Sequence, residues 1–136
     1  MTTPPTRAAH GTHTDHGRPL TSTSLTPFIA VHPAGDAIAF YAEVFGATLV
    51  YSTEMPGPDG EPVIAHAVLD FGLGRLELGE PNPAYHLAPL PEGDDVVFSM
   101  AVYCPDVDAV VEAAVARGAT LREPPADFVS GDRFAS

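Results

Sequence analysis

LTPFIAVHPAGDAIAFYAEVFGATL, residues 25–49, reads as strand, turn, helix, glycine stop and second strand. Shifted by 72 residues it returns without a gap: Val31 falls on Tyr103, and the stretch falls on YCPDVDAVVEAAVARGATL, residues 103–121. Pro33 meets Pro105, Asp36 meets Asp108, Ala42 meets Ala114, and Gly46-Ala47-Thr48-Leu49 meets Gly118-Ala119-Thr120-Leu121. Chance supplies matched alanines in an alanine-rich chain. It does not readily supply a helix start, a helix stop and a following strand at one offset. The repeat therefore marks a duplicated βα unit and takes precedence over local readings.

In the first copy, residues 25–31 predict a strand, with Pro27 suited to an edge or a strand start. Alternation sends Thr26, Phe28 and Ala30 to one face, and Pro27, Ile29 and Val31 to the other. A helix is expected from about Gly35 to Phe45. Ile38, Tyr41, Ala42 and Phe45 form its apolar stripe, and Asp36 favours the positive end of the helix dipole. Gly46 is the expected stop. Three strands follow, at residues 48–53, 63–71 and 75–78, the first two separated by the turn cluster MPGPDGEP. In the second of these, Val63, Ala65, Ala67, Leu69 and Phe71 share an apolar face, while Ile64, His66, Val68 and Asp70 share the other. In the last, Leu76 and Leu78 oppose Arg75 and Glu77. The first unit is thus β-α-β-β-β with its helix on the apolar face.

Residues 81–95 carry too much proline, glycine and charge for an element interior and read as a linker. Residues 96–103 are the expected first strand of the second unit, with Phe98, Met100 and Val102 sharing the face of Thr26, Phe28 and Ala30. A helix then runs from about Val107 to Arg117, with Asp106 as its N-cap and Gly118 as its stop. Residues 120–123 open the next strand. By the same offset Ala135 corresponds to Val63, so the second unit is expected to be incomplete at its C-terminus, as in a truncated chain. An incomplete sheet predicts pairing with another copy as a homodimer. The fold class is α+β: paired βαβββ modules, residues 25–80 and 96–136, around a curved cleft.

Residues 1–24 are rich in Thr, Pro, Gly and His and have the composition of a disordered tail. His10, His13 and His16 can bind a transition metal loosely, but nothing there fixes a ligand geometry. Six basic against eighteen acidic residues leave a net charge of −12, which repels phosphate backbones and anionic lipid. Nucleic acid and membrane surfaces are therefore not expected partners; cationic or neutral small molecules are. A single cysteine, Cys104, excludes an intrachain disulfide and fits a cytoplasmic protein. The chain has no apolar run of membrane-spanning length and no apolar leader.

The cleft face carries polar groups that the helix face lacks: Thr26, His66, Asp70, Arg75 and Glu77. His66 and Glu77 are residue types used as metal ligands or acid–base groups. An outward sheet face with an Arg75–Glu77 ion pair explains the same pattern. Phe28, Phe98 and Met100 supply either an apolar ligand floor or core between the units.

TPFIAVHPAGDAIAFYAEVFGA, IAHAVLDFGLGRLELGE, VYCPDVDAVVEAAVARGAT and SGDRFAS together resemble the glyoxalase / bleomycin-resistance / extradiol dioxygenase superfamily, also called vicinal oxygen chelate. Within it they are most similar to the demethylubiquinone-methyltransferase-like branch. The resemblance implies two βαβββ modules around a U-shaped cleft. In the family's enzymes it also implies a divalent metal held from the first and fourth strands of each module. Those positions fall here on Thr26, Phe98 and Glu77, and the last would lie beyond Ser136. Phenylalanine cannot ligate a metal, so no metal and no other cofactor is expected. The resemblance then implies a small-molecule binding protein whose ligand is held by Thr26, Phe28, His66, Glu77, Phe98 and Met100. The alternative is a metal-dependent lyase, isomerase or dioxygenase, with a divalent metal completed by other residues. No catalytic residue is assigned.

Overall fold

The computed structural model describes residues 23–136 and, by backbone alone, two short strands before them, β1 (His13–Asp15) and β2 (Arg18–Pro19), which pair antiparallel. The rest of the N-terminal segment, with His10 and His16, lies outside the described residues, as does the side chain of His13.

The first unit forms as its pattern dictates. It comprises β3 (Phe28–Ala30), α1 (Ala34–Phe45), β4 (Thr48–Pro56), β5 (Pro62–Asp70) and β6 (Arg75–Gly79). The sheet order is β3-β6-β5-β4, with β3 parallel to β6 and the other pairs antiparallel. Gly46 ends α1 in the left-handed region (φ 72°), where its N–H donates to the Ala42 carbonyl. A side chain there is disfavoured by the contact of Cβ with the backbone. Ala34, Ala47, Ala67, Leu69 and Leu78 form the buried core between helix and sheet, with Ile29, Val31, Ile38, Tyr41 and Phe71 packed around it. Tyr41 stacks on Phe45 and meets Phe71 edge-on, and burial pushes its hydroxyl pKa up.

Two bulges correct the strict alternation. Thr53 pairs with His66, but Glu54 pairs with Ile64, so Ala65 is an extra residue in β5. A bulge of this kind shifts the side-chain phase. Ile64, expected on the face of His66, packs instead against the helix core. In β4, Leu49 pairs with Leu69 and Tyr51 with Val68, so Val50 is extra. Tyr51 thereby joins Val68 and His66 on the face away from the helix.

The second unit has α2 (Val107–Ala116), β7 (Ala126–Asp127) and β8 (Arg133–Phe134). Asp106 caps α2 as expected, its carboxylate accepting from the Ala109 N–H at 3.0 Å. The two helices touch through a Glu43–Arg117 ion pair. The β7–β8 hairpin pairs Ala126 with Phe134, where the first unit pairs Glu54 with Ile64. The separations are 8 (134 − 126) and 10 (64 − 54), so this turn is two residues shorter and the 72-residue offset ends there. Arg133 pins the hairpin to α2: Nε and Nη2 donate to Asp108 at 2.6 and 2.9 Å, and Nη1 donates to Asp127 at 2.9 Å.

Residues 96–103 and 120–123 form no strand, contrary to the pattern. The physical reason lies in the pairing. β3 is held in the sheet by β6, and the described residues of the second unit contain no counterpart of β6. Residues 96–103 therefore have no ladder to join, and strand propensity alone does not hold an extended segment. The backbone of residues 122 and 123 bonds only to that of Ser136, too short a pairing to extend as a strand. Among the described residues, none after Gly79 is buried. The sheet and core that position a site therefore belong to the first unit.

Candidate ligand site on the outer sheet face

Each strand of the four-stranded sheet contributes one residue to a cluster on the face opposite α1: Phe28 from β3, Tyr51 from β4, His66 from β5 and Glu77 from β6. Register places them. Phe28 is directly opposite Glu77, Val68 is opposite both Glu77 and Tyr51, and His66 follows two residues before Val68 on the same face. His66 Nε2 lies 2.5 Å from Glu77 Oε1; with the carboxylate ionised, the imidazole N–H is the donor. The side chains are 37% and 31% exposed, so the pair is open to a ligand as well as to water. The ring centroid of Phe28 is 5.9 Å from that of His66, and Tyr51 meets His66 edge-on at 5.5 Å. Among the described residues, His66 Nδ1 and Glu77 Oε2 have no hydrogen-bond partner.

Gly79 makes this arrangement possible. Phe28 and His66 sit on strands separated by β6, and their rings meet only by crossing it. Gly79 shares the face of Glu77 and has no side chain to block the crossing. A Cβ there would overlap the Ala65 carbonyl and come within 3.2 Å of Phe28 Cζ. The next residue, Glu80, anchors the neighbouring turn. Its Oε1 accepts from the Ala34 N–H at 2.7 Å and its Oε2 from His32 Nδ1 at 2.7 Å. Pro33, at the N-cap position, supplies no side-chain cap, so a carboxylate 46 residues away caps α1.

Of the six expected site residues, the structure brings three together: Phe28, His66 and Glu77. Glu77 pairs with His66, while Arg75 lies 3.6 Å from Asp70; the Arg75–Glu77 pair is not the one formed. Thr26 is half-buried just before β3. Met100 is elsewhere: with Val102 and Cys104 it lines an apolar groove of about 240 Å³ against Val110, Ala114 and Val115 of α2. Phe98 is exposed on the unpaired segment 96–103. The expected shared face of Phe98 and Met100 with Phe28 depended on a second strand that does not form. Tyr51 and Gly79 were not legible as site residues, because one is phased by a bulge and the other acts by lacking a side chain.

The sequence profile of the Glyoxalase/Bleomycin resistance protein/Dioxygenase superfamily matches residues 24–135. An uncharacterized protein of Mycobacterium bovis is 31% identical over 115 residues, covering 82% of this chain and 72% of its own. An uncharacterized protein of Mycobacterium tuberculosis (strain H37Rv) is also 31% identical, and the match covers 65% of its length. This chain thus spans about two thirds of the length of these curated relatives. Protein PA1353 from Pseudomonas aeruginosa has a similar fold, with a TM-score of 0.62 at 23% identity over 84% of this chain and 87% of that one. TioX from Micromonospora sp. ML1 matches with a TM-score of 0.52 at 22% identity, over 83% and 84%. The chain belongs to the glyoxalase / bleomycin resistance protein / dioxygenase superfamily, with a mixed α+β fold. No helix among the described residues is long and apolar enough to cross a membrane.

The described residues do not by themselves make up a site for the divalent metal of the superfamily's enzymes. Among the described residues no three His, Cys, Asp or Glu side chains come together to hold an ion. Glu77 and His66 offer two donors already bonded to each other, where a catalytic zinc site uses three protein ligands.

Proposed function

We propose that this protein binds a small molecule on the sheet face formed by Phe28, Tyr51, His66 and Glu77, without a metal ion. The observation that carries the reading is the His66–Glu77 pair, half-open to solvent and flanked by two aromatic rings. Aromatic walls around a few directed polar groups are the usual make-up of a small-molecule site. His66 Nδ1 and Glu77 Oε2, without a hydrogen-bond partner among the described residues, offer a ligand two positions. Superfamily membership is compatible with binding and with catalysis alike, since fold does not fix function.

A thermal-shift screen of the full chain tests the reading, using an organic-compound library that includes cationic antibiotics, with and without chelator, and divalent metals alone. A ligand stabilises the folded state by an amount set by its concentration relative to its dissociation constant. Stabilisation by an organic compound in the presence of chelator supports metal-free binding. Stabilisation by a metal alone, lost in Glu77→Ala, would overturn it in favour of a metal-dependent enzyme.

A further inference from the structure

The sheet face also narrows the chemistry of its ligand, given the binding reading above. Glu77 has one oxygen committed to His66 and the other without a partner among the described residues. Its register neighbour on β3 is Phe28, and Tyr51 lies beyond His66. An aromatic ring presents negative charge density on its face, so rings beside a carboxylate favour a cation. Val68, opposite both Tyr51 and Glu77 in register, is buried beneath these side chains and keeps the ground under the site apolar. Among the described residues, the arginine on this face is Arg75, which lies beside Asp70. The chain's net charge of −12 adds a long-range pull of the same sign.

We propose that the site takes a small organic cation, an amine or quaternary ammonium carrying an apolar substituent. The positive head sits at the second oxygen of Glu77 beside the ring of Phe28, and the apolar part rests against the exposed ring of Tyr51. His66 is a positioning residue: it holds one carboxylate oxygen and leaves the other to the ligand. An anion finds a carboxylate here, and a neutral aromatic leaves its second oxygen without a partner.

Three probes sharing a phenyl ring separate these cases: benzyltrimethylammonium, benzyl alcohol and benzoate. Each is titrated into the isotope-labelled full chain while the side-chain resonances of Phe28, Tyr51 and His66 are followed. Benzyltrimethylammonium is expected to shift them saturably, benzyl alcohol to bind about tenfold more weakly, and benzoate not to bind. Glu77→Gln keeps an acceptor for His66 and removes the charge. It should weaken the cation about tenfold and leave benzyl alcohol unchanged. Phe28→Leu should weaken the cation several-fold. Equal binding of benzyl alcohol or benzoate overturns the cation assignment and leaves the binding reading standing. No shift with any probe also overturns the assignment, and the library screen then decides the binding reading separately.

Discussion

Glu80→Ala is the most informative single perturbation of the fold, because one carboxylate joins the end of β6 to the start of α1. Three contributions are lost. The first is the bond to the Ala34 N–H, at a residue with no exposed surface, so the orphaned donor reaches water poorly. Leaving such a donor unpaired costs roughly 1–3 kcal/mol, and loss of an N-cap alone typically costs about 1 kcal/mol. The second is a negative charge at the helix N-terminus, worth about 0.3–1 kcal/mol. The third is the contact with His32, whose side chain is 74% exposed, so it adds between about 0 and 1 kcal/mol. The contributions overlap, and together they predict a loss of about 1.5–3 kcal/mol. Urea unfolding measures this as a lower midpoint at unchanged m-value. At about 4 °C per kcal/mol for a chain of this size, the melting temperature falls by roughly 6–12 °C. Glu80→Gln keeps an acceptor for Ala34 and should lose less than half as much. His32→Ala should stay within about 1 kcal/mol of the wild type. A Glu80→Ala protein within about 0.5 kcal/mol of the wild type would refute the cap. If His32→Ala proved equally damaging, the energy would belong to the exposed pair instead.

Further outcomes follow from other parts of the molecule. Gly79→Ala should destabilise the first unit and shift the Phe28 and His66 ring resonances, because the added methyl meets the Ala65 carbonyl and Phe28; a stable variant with an unaltered spectrum would contradict the crossing of β6 by Phe28. The Arg133 guanidinium holds the Asp108 carboxyl below its ordinary range. A group whose pKa is lowered on folding contributes stability above its unfolded pKa and loses it as pH falls through the folded value. Acidification should therefore release the β7–β8 hairpin from α2, visible in the Asp108 carboxyl carbon shift, and Arg133→Gln should return that titration to the ordinary range. Val97, Phe98, Tyr103 and Val129 are exposed apolar groups on the second unit, and surface of that kind associates; light scattering over a dilution series should show a homodimer, and a soluble, sharply melting monomer would contradict it. Elemental analysis of protein lacking residues 1–24 should show no stoichiometric divalent metal; one tightly held ion per chain, lost in Glu77→Ala, would contradict the metal-free site.

The first unit was legible because its code is local. Ile38 and Tyr41 fall on one helical stripe, Ala67 and Leu69 on one strand face, and Gly46 stops the helix. The bulges at Val50 and Ala65 were not legible, since periodicity assumes an unbroken ladder and the extra residue is set by the partner strand. Strict alternation therefore puts Ile64 on the face of His66, and it does not single out Tyr51. The capping of α1 by Glu80 was hidden for the same reason, since it joins residues distant in sequence. In the second unit the repeat correctly gave the helix and its Asp106 cap, both local features. It also assigned a strand at residues 96–103, where a strand needs a neighbour and the described residues supply none. The pairing of His66 with Glu77 was legible only as far as their shared face; which acid His66 meets depends on the β5–β6 register.

The most direct test of the sheet-face site is the affinity of His66→Ala for the strongest organic ligand found in the presence of chelator, read beside its melting temperature. His66 lies opposite the helix core and is more than a third exposed, so its loss should change the melting temperature little. The predicted result is binding weakened about tenfold or more at near-native stability. Unchanged affinity, or unfolding by several kcal/mol as expected for a broken buried network, would contradict it and make His66 a structural residue.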